Sequence, residues 1–238
     1  MPASQVEPRS RHRALRPTGQ PWLSAAARIA RKDLLIERRS RVVTAQIIPF
    51  AGVVLLLFAF ALDPDRGILR RTAPGLFWVA VLLCSLLMIA RSYAIEPQDG
   101  LVRIGYEPPA IFFGKTAAVF VELLLLELVL GVGMVALYDV QMHQLGVVII
   151  SLVFTSIALA ALGVLFGAVS AAESTGATLL PLLLFPALTP VMLGGTQSLE
   201  RALHDSPEDA WPWIRLLALV AVIAVSGGAL AYEWLVER

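Results

Sequence analysis

Charge is scarce in this chain, cysteine almost missing, and histidine too sparse to build a local metal site. Only 16% of the 238 residues are charged, where a soluble domain carries about a quarter. The single cysteine, Cys84, excludes an internal disulfide, and without a CxxC pair there is no thiol-exchange motif; a lone cysteine in an apolar run reads as a small packing residue. The three histidines, His12, His143 and His204, pair with no other ligand at helical i, i+3 or i+4 spacing, and no CxxCH attachment motif exists. His143 and His204 fall on the same expected outer side, so a shared haem contact there stays geometrically open. No Ser/His/Asp arrangement stands out, no repeat of 20–50 residues recurs, and the polar stretches are too short for a soluble catalytic domain.

What is present is apolar length. Runs long enough to cross ~30 Å of hydrocarbon, about 20 helical residues each, recur at about 42–62, 74–90, 116–138, 145–170, 177–197 and 214–236. They are continuously apolar instead of alternating, which disfavours a β-barrel. The expected fold class is therefore all-α, a polytopic membrane protein with six transmembrane helices. Three regions follow: a flexible tail over 1–21, an amphipathic interfacial helix over 22–41, and a six-helix transmembrane domain over 42–238. Ten of the 19 basic residues precede Val42. With that end cytoplasmic, Arg91, Arg103, Lys115 and Arg238 join them, against Arg66, Arg70, Arg71, Arg201 and Arg215 outside. Basic residues abutting the first span set orientation, so both termini are expected in the cytoplasm. Nothing points to nucleic acid; the lipid bilayer is the expected partner.

Residues 22–41, WLSAAARIARKDLLIERRSR, place Arg28, Arg31, Lys32, Arg38 and Arg39 on one side of a helical wheel. Trp22, Leu23, Ala26, Ile29, Ala30, Leu34 and Ile36 fall largely on the other. Asp33 and Glu37 interrupt the apolar arc. Such a helix suits the membrane interface, its cations at anionic headgroups. Pro74 is expected in a first helical turn, where its missing N–H costs nothing. Gly163 and Gly167 have the spacing for close approach of two membrane helices. Pro181, Pro186 and Pro190 each remove a backbone donor, which predicts a kinked fifth span packed inside the bundle, where neighbours satisfy the freed carbonyls. Trp211 and Trp213 close the polar segment 198–213 as interface anchors.

Residues 96–115, EPQDGLVRIGYEPPAIFFGK, end with Thr116 in GKT, the tail of a phosphate-binding loop. That loop needs a glycine five positions before Gly114; Pro109 stands there, no strand precedes it, and an apolar span follows. The match is accidental and excludes ATP binding by that route. At 1.5 Å per residue, Glu122 lies roughly 10 Å and Glu127 about 18 Å beyond Lys115, inside the third span. Intramembrane carboxylates are functional candidates; proton relay and hydrogen bonding to other helices are both open, and their separation of about 140° means they need not share a site. The remaining loop, Glu96, Asp99 and Gly100 followed by Pro108–Pro109, suits a short helix lying across the membrane and ended before the third span. Connections of 2–8 residues are usual, so a passive linker of this length is unneeded. Short helices of this kind let a permease dock on a separate ATPase.

The stretches RTAPGLFWVAVLLCSLL, Arg91, DGLVRIGYEPP…IFFGK and LLPLLLFPALTPVML together resemble the haem exporter B family, over residue 24 to the end. Those proteins are membrane permease subunits of the cytochrome c maturation ABC complex. The resemblance implies a type-2 ABC exporter permease in the bacterial inner membrane, with an interfacial N-terminal helix and a coupling helix between spans two and three. It implies three partners: an ABC ATP-binding subunit, a haem-handling membrane subunit and an outer-face haem chaperone. The chain would be a transporter subunit and no enzyme itself, with ATP hydrolysed on the partner and haem as cargo of the complex. Glu96, Asp99, Gly100, Arg103, Pro108 and Pro109 would form the coupling element; Arg103 stands where the family carries a glutamate after its DG motif. A non-conducting scaffold, or a permease for another lipid-like or drug-like cargo, is the alternative.

Overall fold

A computed structural model describes residues 22–41, 43–62, 66–95, 101, 106–140, 144–172, 176–204 and 207–236. Among these there is no strand. The elements are α1 (Trp22–Ser40), a π-helical turn (Val43–Ile47) running into α2 (Ile48–Ala61), α3 (Arg66–Ile95), α4 (Pro108–Tyr138), α5 (Leu145–Ala172), α6 (Gly176–Leu203) and α7 (Pro207–Val236). Six spans, α2 together with its π-helical turn (Val43–Ala61) and α3 to α7, are long and apolar enough to cross a membrane. The chain is a polytopic helical membrane protein.

Two helices start earlier than apolarity alone indicates. α3 begins at Arg66, so Pro74 lies inside the helix and is buried, not in its first turn. α4 begins at Pro108, so Pro108 and Pro109 open the third span instead of ending a loop helix before it. The cause is local. A residue before proline is driven to extended backbone, and Glu107 has φ −69° and ψ 139°. The two rings then occupy the first helical positions, where no N–H is needed, and the Ile111 N–H reaches the Glu107 carbonyl at 3.2 Å. This adds Gly114 and Lys115 to the membrane helix. The polar stretch 198–213 is likewise largely helical, shared between the end of α6 and the start of α7.

α5 is the centre of the bundle, packed against α3, α4, α6 and α7. Its small residues allow this. A Cβ on Gly163 would collide with Ile89 Cδ1, and one on Gly167 would come within 2.5 Å of the Tyr93 ring, so the glycine pair seats α3. The Tyr93 hydroxyl then donates to the Val164 carbonyl at 2.6 Å. On the other flank, Tyr138 donates to the Leu55 carbonyl at 2.9 Å and ties α4 to α2. At the end away from α1, Asp139 caps α4 in the left-handed region (φ 53°) and receives Arg70 of α3 on its carbonyl and carboxylate.

α6 departs from expectation. It runs unbroken through Pro181, Pro186 and Pro190, with Leu180, Leu184, Leu188 and Val191 facing the core. Pro186 and Pro190 lie on the opposite, exposed face, so these two prolines are not packed inside the bundle, while Pro181 is half-buried. From 180 to 193 every residue but Thr189 is apolar, so the sequence there carries no polar face to say which side is buried.

Candidate functional site

α1 does not lie free beside the bundle; it crosses α4 at the residues that spell GKT. Gly114 makes the crossing possible. A Cβ there would sit 2.7 Å from Ile29 Cβ and 2.8 Å from the Ala26 carbonyl oxygen. Trp22 packs on Phe113 with ring centroids 5.4 Å apart. One residue on, the Lys115 side chain is 1% exposed. Its Nζ is 3.9 Å from Asp33 Oδ2 of α1 and 5.1 Å from the centre of the Tyr93 ring. A buried ammonium is tolerated only near compensating charge, and here α1 and an aromatic face of α3 provide it. Lys32 holds the other Asp33 oxygen at 3.2 Å.

Beside this crossing, α1, α3 and α4 enclose a cleft with about 40 Å³ of room, lined by Asp33, Glu37, Arg91, Ser92 and Glu122. That suffices for a few waters. Glu37 accepts the Val43 N–H at 2.6 Å, so a carboxylate from α1 satisfies an otherwise orphaned donor at the start of the first span. Arg91 donates to the Ser40 hydroxyl at 3.2 Å. The two acids that interrupt the apolar arc of α1 are thus the ones turned into the bundle. Their i, i+4 spacing puts both on one face, and that spacing was the sequence signal for this junction. Sequence reasoning missed the roles of Gly114 and Lys115, because GKT was tested only against phosphate binding.

The two intramembrane glutamates are separate. Glu122 lines the cleft. Glu127 is 1% exposed and accepts the Ser156 hydroxyl of α5 at 2.6 Å, while its second oxygen has no hydrogen-bond partner among the described residues. Higher on α5, Ser151 and Ser198 of α6 share a short hydrogen bond. Of the loop residues, Glu96, Asp99, Gly100 and Arg103 lie outside the described residues. Pro108 and Pro109 open α4, and the Leu101 carbonyl accepts the Tyr106 N–H at 3.3 Å. His143 also lies outside them. His204 lines an open recess of about 350 Å³ with Gln197, Glu200, Arg201 and Asp209, its Nδ1–H on the Glu200 carbonyl at 2.8 Å. Among the described residues no three His, Cys, Asp or Glu side chains converge as metal ligands.

The junction links α1, α3 and α4 through Gly114, Lys115, Asp33 and Tyr93. Heme exporter protein B of Pseudomonas aeruginosa is 27% identical over 205 residues, covering 82% of this chain and 89% of that protein. Heme exporter protein B of Paracoccus denitrificans is 29% identical over 177 residues, 71% of this chain and 80% of its own length. The Escherichia coli protein of that name is 35% identical over a shorter stretch of 95 residues, 38% of this chain and 43% of its own. The profile of the CcmB protein family matches residues 24–234, from α1 to the end of α7, and the chain belongs to that family.

Proposed function

We propose that this chain is the membrane permease subunit of an ABC complex that delivers or exports haem for c-type cytochrome biogenesis. The observation that carries the reading is the family match over nearly all of α1 to α7, joined to relatives named for haem export. In this reading the chain sits in the bacterial inner membrane with both termini in the cytoplasm. ATP is hydrolysed on a partner subunit, and a haem-handling membrane subunit and an outer-face chaperone complete the assembly. The loop with Glu96, Asp99, Gly100 and Arg103 docks into that ATPase. It enters the bundle through Pro108–Pro109, directly below the Gly114 crossing. A push on the loop therefore reaches α4, and through Lys115–Asp33 it reaches α1 at the headgroup level. Glu122 and Glu127 act as interhelical polar contacts along the same helix.

Co-purification tests it: the chain is co-expressed with the ATP-binding subunit, with and without Glu96→Lys and Asp99→Lys together. Loss of the ATPase, with the permease still folded in the membrane, is expected. Full retention overturns the loop as docking element and moves the coupling site to α1.

A further inference from the structure

The outward face of α1 carries a row of cations turned away from the bundle. Arg28, Arg31, Arg38 and Arg39 are all exposed, and at about 100° per residue they fall within an arc of about 100°. Leu35, 39% exposed, lies in the middle of that arc. The opposite side holds the buried Ala26 and Ile29 and the acids Asp33 and Glu37, one beside Lys115 and the other on the Val43 N–H. Both carboxylates of α1 therefore point away from its arginines, and among the described residues no ion pair engages any of the four. The height of the row follows from α4. Counted back from Tyr138, ~30 Å of hydrocarbon takes about 20 residues of this helix and ends near Ala118, which leaves Gly114 and Lys115 in the headgroup layer. Because α1 rests on the flank of α4 at Gly114, and not beneath its end, the arginine row looks sideways into that layer.

We propose that the row is a docking surface for the phosphate headgroups of anionic lipid, and that lipid charge thereby helps to hold α1 on α4. Charge complementarity and position decide the occupant. Guanidinium forks match phosphate oxygens bidentately, and an anionic leaflet presents a layer of such groups at this height. Leu35, between the arginines, meets the first acyl carbons below them. The other face of α1 is tied to α4 by the Gly114 crossing and the Lys115–Asp33 pair. A headgroup layer that grips the arginines therefore acts on that junction, and the seating of α1 becomes dependent on lipid composition.

The test is hydrogen exchange of the full chain in two sets of nanodiscs, phosphatidylcholine alone and phosphatidylcholine with phosphatidylglycerol. Both leaflets of the second set carry the anionic lipid, so the outcome depends neither on the orientation of the chain nor on an ATPase partner. Amides of α1 should exchange about tenfold more slowly with the anionic lipid, while those of α5 keep their rates. Raising salt to about 1 M, where screening sets in within about 3 Å, should remove most of the difference. Arg28→Gln, Arg31→Gln, Arg38→Gln and Arg39→Gln together should abolish it, and lysine at the same four positions should keep most of it. Arg31→Gln with Arg38→Gln, expected to give a smaller loss, serves where the fourfold variant inserts poorly. Equal exchange in the two lipids, or a lipid effect that survives the glutamine replacements, overturns the proposal. Protection that appears only when the ATP-binding subunit is added overturns it too, by assigning the row to a protein surface.

Discussion

Replacing Gly114 by alanine puts a methyl carbon 2.7 Å from Ile29 Cβ and 2.8 Å from the Ala26 carbonyl oxygen. The Ile29 contact lies on the stem of its side chain and the Ala26 contact is backbone, so neither yields by rotamer change. Restoring ordinary contact at 3.4 Å moves α1 away from α4 by about 0.7 Å, an overpacking that costs about 1–3 kcal/mol. Against this, alanine is favoured over glycine inside a helix by up to about 1 kcal/mol. The net is about 1–2 kcal/mol, applied to the seating of α1 and leaving the six spans in place. Since 1.4 kcal/mol is a factor of ten, opening of α1 should rise roughly tenfold. Trypsin reads this directly, because α1 carries Arg28, Arg31 and Lys32 and cleavage of a transiently opened segment follows its open population. In nanodiscs, cleavage at these three sites should accelerate about tenfold in Gly114→Ala, and further in Gly114→Leu. Gly75→Ala and Gly146→Ala, where no atom lies within 4 Å, should leave the rate unchanged or slower. Equal rates in Gly114→Ala and the parent chain would refute the crossing.

Lys115→Met and Asp33→Asn should each loosen α1 in the same assay, while the double variant should cost less than their sum, because each single change strands a buried charge that the pair compensates. Tyr93→Phe removes the hydroxyl from the Val164 carbonyl and should lower resistance to detergent-induced unfolding by about 1 kcal/mol. Gly167→Leu, on the same α3–α5 contact, should prevent recovery of folded protein, as size-exclusion profiles would report. Glu127→Gln keeps an acceptor for Ser156 and should fold with little loss. Glu127→Leu strands that hydroxyl in the core and should cost more, read as the difference in melting temperature between the two variants.

How far the sequence reached depended on what each signal measured. Apolar length is a bulk quantity, so the six spans were legible, and a helix does occupy nearly all of 22–41. Local chemistry was legible where it had one physical outcome, as for the Gly163/Gly167 pair, which does admit a neighbouring helix. Helix starts were misplaced where polar residues extended a span: Arg66 to Thr72, and Pro108 to Lys115, are helical although their apolarity is interrupted. The side on which the α6 prolines fall was illegible, because from 180 to 193 the sequence is apolar at every position but Thr189 and offers no polar face to orient it. The junction at Gly114 and Lys115 needed two segments some eighty residues apart to be brought together. Only the misplaced acids Asp33 and Glu37 hinted at it.

Glu37 separates two ways in which that junction could hold. Its carboxylate oxygen accepts the Val43 N–H at 2.6 Å, and Val43 is 2% exposed. The chain reverses into the left-handed region at Arg41, with φ 53°, and a single such residue costs about 1–2 kcal/mol. A π-helical turn follows before α2 becomes regular. The acceptor on Glu37 thus helps to hold the bend that fixes the angle between α1 and the first span. Glu37→Ala leaves a buried N–H unpaired, at about 1–3 kcal/mol, whereas Glu37→Gln keeps an acceptor and loses only charge. If hydrogen bonding sets the bend, trypsin should cut at Arg38, Arg39 and Arg41 markedly faster in the alanine variant and near the parent rate in the glutamine variant. Equal acceleration in both would mean that attraction between the carboxylate and the cations near it, such as Arg91 across the same cleft, holds α1 in place, and that the bend follows from it.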